Sequence, residues 1–157
     1  MADKIERNYP DVVAHPLGIY ATALVLGFVM DLILPTKFFS NIIRVLFGVP
    51  LIAIGVAVMA LAIKEFRKAG TNIEIDKPAY ALVKSGLYSI TRNPIYIALS
   101  VLYMGLGLAA DNLWILLFGV PAIYLINSWV IEPEEEYLQK KFGKEYQEYT
   151  SLVPRWF

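Results

Sequence analysis

Two short stretches hold the side chains of this sequence best placed to do chemistry. Arg92-Asn93-Pro94-Ile95-Tyr96 sets a guanidinium, a carboxamide and a phenol around a proline, where a basic segment gives way to an apolar run. Glu132-Pro133-Glu134-Glu135-Glu136 sets three adjacent carboxylates behind a proline at the end of a second apolar run. Arg92 and Asn93 together can hold a small charged ligand, with Tyr96 stacking or hydrogen bonding one turn further on. The plainer reading of the same residues is a charge at a membrane boundary, a capping asparagine and an interfacial tyrosine. The acids complement a helix N-terminus in their plain reading. Three in a row exceed that need, and because Glu134 and Glu135 project about 100° apart on a helix, one can turn inward while the other stays wet. An inward carboxylate suits ribose hydroxyls or a ligand ammonium.

Composition narrows what such residues can be doing. The chain of 157 residues is 57% hydrophobic with a mean hydropathy of +0.53, too apolar for an ordinary soluble domain of that length. Its formal net charge is zero, so no global field argues for nucleic acid. It has no cysteine and one histidine, His15, which removes disulfides, thiolate nucleophiles and the usual transition-metal sites. No metal site is expected. Met1 to Pro16 lacks the pattern of a signal peptide. His15 reads as a surface residue and Asp31 as an interfacial one, and Gly105-Leu106-Gly107 reads as helix packing.

The elements that must position the two stretches are membrane helices. Four spans are expected, at about residues 17–34, 45–63, 95–110 and 113–131, in one all-α integral membrane domain covering 1–157. A cytoplasmic interfacial loop joins spans two and three, and a C-terminal amphipathic helix follows span four. Gly48 and Gly55 suggest a face where another helix approaches closely, and Pro121 should kink the fourth helix. Span three, 16 residues, is only about 24 Å long at 1.5 Å per residue, so it is short, tilted or enclosed by its neighbours. Tyr137, Leu138, Phe142, Tyr146 and Tyr149 form one helical stripe facing protein or headgroups, and Val153 to Phe157 reads as an interfacial anchor. Six lysines and arginines lie between spans two and three, four in the C-terminal tail and two before span one, against only Lys37 and Arg44 on the other side. Both termini and the long loop should therefore face the cytoplasm. The Arg92 turn and the Glu132 to Glu136 cluster then share one face.

Taken in order, Phe66-x-x-Ala69-Gly70-Thr71, Leu82-Val83, Gly86-x-Tyr88, Thr91-Arg92-Asn93-Pro94-x-Tyr96, Glu134-Glu135-x-x-Leu138, Phe142-Gly143, Tyr146, Tyr149 and Val153-Pro154-Arg155-Trp156 resemble the isoprenylcysteine carboxyl methyltransferase family. They are also similar to phospholipid N-methyltransferases. The resemblance covers roughly residues 45 to 157, and the first span is only compatible with it. It implies an integral membrane methyltransferase that uses S-adenosyl-L-methionine, acts on a lipophilic or lipid acceptor and keeps its active site on the cytoplasmic side. Carried over by position, Arg92, Asn93, Pro94 and Tyr96 would line the cofactor site, Glu134 and Glu135 would close it, and Gly105 and Gly107 would touch the cofactor. Arg92 and Glu135 would be the catalytic pair. The pattern departs at Asn93, where the prenylcysteine enzymes usually carry histidine; an asparagine keeps the hydrogen bonding but cannot take up a proton near neutral pH.

Methyl transfer from a sulfonium is an in-line displacement that needs positioning more than acid or base help. Tyr88, Tyr96 or Tyr124 could face the sulfonium, whose positive charge disappears as it reacts, and an apolar acceptor could enter sideways near Pro121. The acceptor stays open among a prenylcysteine carboxylate, a phosphatidylethanolamine amine, another lipid and a small thiol. Two other classes compete. Sterol-type membrane reductases share a related Arg-x-Pro-x-Tyr turn and use a nicotinamide cofactor, and a non-enzymatic scaffold would use these motifs for packing alone.

Overall fold

A computed structural model describes residues 8–157, so Met1 to Arg7, with Lys4 and Arg7 of the charge count, lie outside it. The described chain is helical, without strands. Its main helices are α1 (Pro16–Ile33), α2 (Asn41–Ala69), α3 (Pro94–Ala109), α4 (Leu113–Phe142) and α5 (Lys144–Leu152). Local chemistry sets their ends. Proline opens α1 and α3, where a missing N–H costs nothing. The Asn112 carboxamide oxygen accepts the Ile115 N–H at 3.0 Å and caps α4. Gly70, at φ +64°, ends α2, with the Thr71 N–H returning to the Phe66 carbonyl.

Helices α1, α2 and α4 are long and apolar enough to cross a membrane, whereas α3 is an apolar helix of 16 residues. The shorter helix is the enclosed one. It runs between α2 and α4 and buries Tyr96, Leu99 and Tyr103 against Tyr20 of α1 and Ile115, Ile126 and Val130 of α4. Outward-facing Val25, Phe28, Val56, Leu61 and Val120 are exposed, the inverse of a soluble protein and the pattern of a lipid-facing surface. Small residues let the backbones meet, as the sequence suggested for Gly48 and Gly55. A Cβ on Gly55 would lie 2.8 Å from the Leu102 nitrogen, and one on Gly48 2.7 Å from the Ala109 nitrogen. The same closeness brings Gly27 of α1 onto Ile115.

The expected boundaries move at two places. Arg44, read as part of a link, lies inside α2, and that helix continues to Ala69 instead of stopping near residue 63. The fourth apolar run does not stop at Ile131 either, because α4 passes without a break through Pro121 and Pro133 to Phe142. Over Asn127–Ile131 its hydrogen bonds widen, the Glu132 N–H reaching back to the Asn127 carbonyl. Pro133 has no N–H to return to the Trp129 carbonyl, and the Val13 N–H takes that place at 3.0 Å. A separate short helix, α5, begins only after Gly143 at φ +53°.

The end of the bundle remote from the two polar stretches is tied by side chains to backbone. Asp111, at φ +53°, accepts the Phe38 and Phe39 N–H groups at 2.9 and 2.8 Å. Arg44 donates to the Ala109 carbonyl, and Asp31 holds the Thr36 N–H at 3.0 Å. Asp31 thus ties the chain that follows α1 through Thr36, and His15 is exposed.

Candidate functional site

The Arg92 turn is built by three neighbours. Gly86, at φ +60°, brings the loop against Glu65 of α2 so closely that a Cβ there would lie 2.8 Å from the Glu65 carboxyl carbon. The following turn, Gly86–Ser89, seats the Tyr88 ring edge-on against Phe66 at 5.4 Å, and the Tyr149 hydroxyl of α5 donates to the Tyr88 carbonyl at 2.7 Å. The third neighbour is the C-terminal arm, residues 153–157. The Arg92 N–H donates to the Pro154 carbonyl at 3.0 Å, and the Arg155 carbonyl accepts from the Thr91 hydroxyl at 3.1 Å and the Asn93 amide at 3.0 Å. Asn93 thereby holds the arm to the turn. That gives a hydrogen-bonding reason for an amide at this position, one that needs no proton transfer.

Against this turn α4 presents its acids, and the 100° between successive residues separates their partners. Glu134 faces α3 and accepts the Tyr96 hydroxyl at 2.7 Å. Glu135 faces the turn and the arm. Its Oε1 lies 2.9 Å from Nη1 of Arg92, while Arg155 grips the same carboxylate with Nη2 at 2.6 Å and Nε at 3.2 Å. Two guanidiniums therefore share one carboxylate, a charge-assisted arrangement that fixes its orientation. The bond to Glu135 holds the Arg155 pKa above its ordinary value. Arg92 also reaches the Tyr146 hydroxyl at 3.5 Å, and its Nε is buried without a hydrogen-bond partner among the described residues. A buried donor left unpaired carries a desolvation cost that a bound acceptor would relieve.

Three tyrosines complete the lining. Burial pushes the Tyr146 phenol up to about 12, with the Glu135 charge adding to it and Arg92 opposing. Burial likewise raises Tyr88, with Glu134 adding to it, and Tyr149. All three stay neutral at physiological pH and act as hydrogen-bonding or aromatic groups, not as phenolate bases.

A cavity of about 70 Å³ lies at this junction, lined by Tyr88, Arg92, Asn93, Glu134, Glu135, Tyr146 and Tyr149, by Phe66 and Leu138, and by loop residues 72–83. The loop is pinned across it. Tyr137 of α4 accepts the Ala79 N–H at 3.1 Å and donates to the Asn8 carbonyl at 3.0 Å, and Pro10 adds to the wall.

Of the residues singled out from sequence, Tyr88, Arg92, Asn93, Glu134 and Glu135 are brought together here. Tyr96 stands behind Glu134 as its hydrogen-bond partner, and Pro94 is the buried first residue of α3. Gly105 and Gly107 sit elsewhere. They lie about 16 to 20 Å along α3 from Pro94 at 1.5 Å per residue, Gly105 against Ile52 of α2 and Gly107 against Leu116 of α4. Their contacts are helix packing, as the bare Gly-x-Gly spacing suggested. Tyr124 is 69% exposed on the outer surface of α4.

Sequence reasoning missed Arg155. Its anchor-like pentapeptide folds back instead of lying flat, with Val153 buried against Tyr146 and Tyr149 and Trp156 packed on the core. The stripe from Leu138 to Tyr149 faces protein, in that same cluster. The available signal was the mismatch of an arginine in an otherwise aromatic tail with an acidic run elsewhere on the same face.

No curated protein matches the chain closely enough to name as a relative. The family model described as phospholipid methyltransferase matches residues 43–145, from the start of α2 to the start of α5, and so includes the Arg92 turn and both acids but not Tyr149 or Arg155. With about two thirds of its length matched, the chain belongs to the phospholipid methyltransferase family, in one grouping with the isoprenylcysteine carboxyl methyltransferases.

Proposed function

We propose that the protein transfers a methyl group from S-adenosyl-L-methionine to a lipophilic acceptor at one face of the membrane, using the cavity between the Arg92 turn and α4. Family membership supports methyl transfer to a lipid-like acceptor over a nicotinamide-dependent reductase or a scaffold. The observation that carries the cofactor assignment is Glu135 held between two arginines beside Glu134, with a buried, unpartnered Arg92 Nε among neutral tyrosines. The cofactor's amino-acid end carries one anionic and one cationic group, and its ribose carries hydroxyls. Arg92 is suited to the first, and Glu134 and Glu135 to the other two. The Tyr88 and Tyr146 rings offer flat, uncharged surface for the adenine or the sulfonium.

When bound, the cofactor supplies an electrophilic methyl group. The protein's share is positioning. Arg92 and Arg155 fix the Glu135 carboxylate, Tyr96 fixes Glu134, and the arm holds Asn93 and the backbone of Arg92 in place. Loop residues 72–83 and Pro10 shield the cavity from water. In the topology that goes with this reading, α3 crosses inside the bundle as a fourth span, and the termini, the loop and the site face the cytoplasm, where the basic residues concentrate.

Ligand sites are usually about 300–1,000 Å³, so loop 72–83 has to swing outward to admit a nucleoside. The Tyr137 hydroxyl is the pin. Tyr137→Phe is expected to raise the association rate of S-adenosylhomocysteine about fivefold, the worth of one net hydrogen bond of about 1 kcal/mol, as read by stopped-flow fluorescence. An unchanged rate would show that access lies elsewhere. The reaction itself is tested by incubating purified protein with methyl-labelled cofactor and a lipid extract. Label should pass into the lipid fraction with the wild type and not with Glu135→Ala, and an unlabelled lipid fraction would overturn the proposal.

A further inference from the structure

Glu65 stands where acids are rare. It lies near the C-terminal end of α2, 8% exposed, between Ala62 and Phe66 of the apolar cluster around Tyr88. Carboxylates buried to that degree are paired, and the partners of this one lead to the candidate site. We infer that Glu65 is a positioning residue of the proposed cofactor site: through Ser85 and the Gly86–Ser89 turn it sets where Tyr88 and Arg92 stand. The inference rests on the methyltransferase reading and adds to it what holds the site on the α2 side.

The carboxylate is bonded from two directions. The Ser85 hydroxyl donates to its Oε2 at 2.7 Å, and Lys68, three residues on along α2, donates from Nζ to Oε1 at 2.7 Å. The Lys68 side chain is 57% exposed, so one oxygen is neutralised from the water side and the other is left to the turn. The backbone then follows at close range. A Cβ on Gly86 would lie 2.8 Å from the Glu65 carboxyl carbon and 3.1 Å from Oε1, so the turn is seated on the carboxylate itself.

Hydrogen bonds carry that seat forward to the site. The Tyr88 N–H donates to the Ser85 carbonyl at 3.1 Å, and the Ile90 and Thr91 N–H groups donate to the Leu87 carbonyl at 3.1 and 3.2 Å. The Ser89 hydroxyl closes on the Gly86 carbonyl at 2.7 Å. Arg92 is the next residue. The Pro154 carbonyl and Glu135 hold it from one side, and Glu65 supplies the other through the turn. A binding constellation has to be held to within about 0.5 Å, so both sides matter. Packing alone would be served here by an apolar residue, as at Ala62 and Phe66. A carboxylate adds direction, because its two oxygens bond two groups in fixed places. Neither Glu65 nor Ser85 lines the cavity, so each acts through the turn and not on the ligand.

The test is calorimetric titration with S-adenosylhomocysteine of wild type, Glu65→Ala, Glu65→Gln, Ser85→Ala and the Glu65→Ala/Ser85→Ala double variant, beside thermal unfolding of each. Glu65→Ala and Ser85→Ala should each weaken binding about five- to tenfold, the worth of one hydrogen bond to a charged group. The double variant should bind no more weakly than Glu65→Ala, since the two side chains act through one bond. Glu65→Gln should bind within about twofold of wild type, because a serine hydroxyl can accept from an amide as well as donate. A latch that serves folding alone predicts another split, with lower melting temperatures in Glu65→Ala and Ser85→Ala but wild-type affinity in the folded protein, and that result would overturn the assignment. So would additive losses in the double variant, or Glu65→Gln binding no better than Glu65→Ala. Should Glu65→Ala yield no folded protein, Ser85→Ala decides: wild-type affinity there overturns the assignment, and a loss there with Glu65→Gln near wild type upholds it. A wild type that ignores S-adenosylhomocysteine would contradict the proposed function, and this assignment with it.

Discussion

Glu135→Ala is expected to abolish binding of S-adenosylhomocysteine and to lower the melting temperature of the detergent-purified protein. The reason is what the substitution leaves behind. Arg92 and Arg155 both bond this carboxylate, at 2.9 and 2.6 Å, and their side chains are only 15% and 33% exposed. Without it two guanidiniums face each other across a space with no anion between them. Breaking a fully buried ion pair costs about 3–5 kcal/mol, and the partial exposure here brings the expected loss to about 2–3 kcal/mol. Glu135→Gln keeps shape and some hydrogen bonding, and should fall between wild type and alanine. The surface pair of Glu145 with Lys84, half-exposed on both sides, is the control. Glu145→Gln should change stability by less than about 0.5 kcal/mol and leave ligand binding alone. Equal, small effects at 135 and 145 would remove Glu135 from the centre of the site.

The second large effect is steric. Gly105→Leu should yield little folded protein, because even a Cβ at this position would lie 2.8 Å from the Ile52 nitrogen and 3.0 Å from the Gly48 carbonyl oxygen. Those atoms are backbone, so relief requires α2 and α3 to separate along the interface that also includes Gly48 and Gly55. Overpacking commonly costs about 1–3 kcal/mol, and a leucine against backbone belongs at or beyond the upper end. Gly18→Leu, with nothing within 4 Å of its Cβ position, should express and elute as wild type. Size-exclusion profiles and thermal unfolding of both variants check this. A monodisperse, stable Gly105→Leu protein would mean that the helices are not in backbone contact. The pair also bears on the role of Gly105, since a packing residue lowers the yield of folded protein without changing the ligand affinity of the molecules that do fold.

The sequence carried the helices well where composition alone decides them. The apolar runs became helices whose starts near Pro16, Pro94 and Asn112 lie within a residue or two of the expected limits, and Gly48 and Gly55 became a helix interface, while the second and fourth helices run past their expected ends to Ala69 and Phe142. It carried less where tertiary contacts override local signals. Pro133 looked like a helix start, yet α4 runs through it, because the widened turn at Asn127–Ile131 and the Val13 N–H absorb the missing bond. No window of sequence around Pro133 contains Val13. The candidate site shows the same division. Arg92 and Glu135 stand out by type, and their meeting at 2.9 Å follows once both lie on one side of the bundle. Arg155 was hidden because Arg-Trp-Phe reads equally as a headgroup anchor, and only the folded arm, held by Thr91 and Asn93, aims it at Glu135. Gly105 and Gly107 were credited with cofactor contact through resemblance, while the length of α3 puts them about three or more turns from the Arg92 turn.

The most direct test of the central claim is calorimetric binding of S-adenosylhomocysteine to the detergent-purified protein and to Arg92→Ala, beside a nicotinamide dinucleotide. Under the proposed function Arg92 is the cation that meets the cofactor in this cavity, so wild type should bind the adenosyl ligand, Arg92→Ala should not, and the dinucleotide should bind neither. A folded wild type that ignores S-adenosylhomocysteine, or an Arg92→Ala protein that binds it as well as wild type, would contradict the assignment.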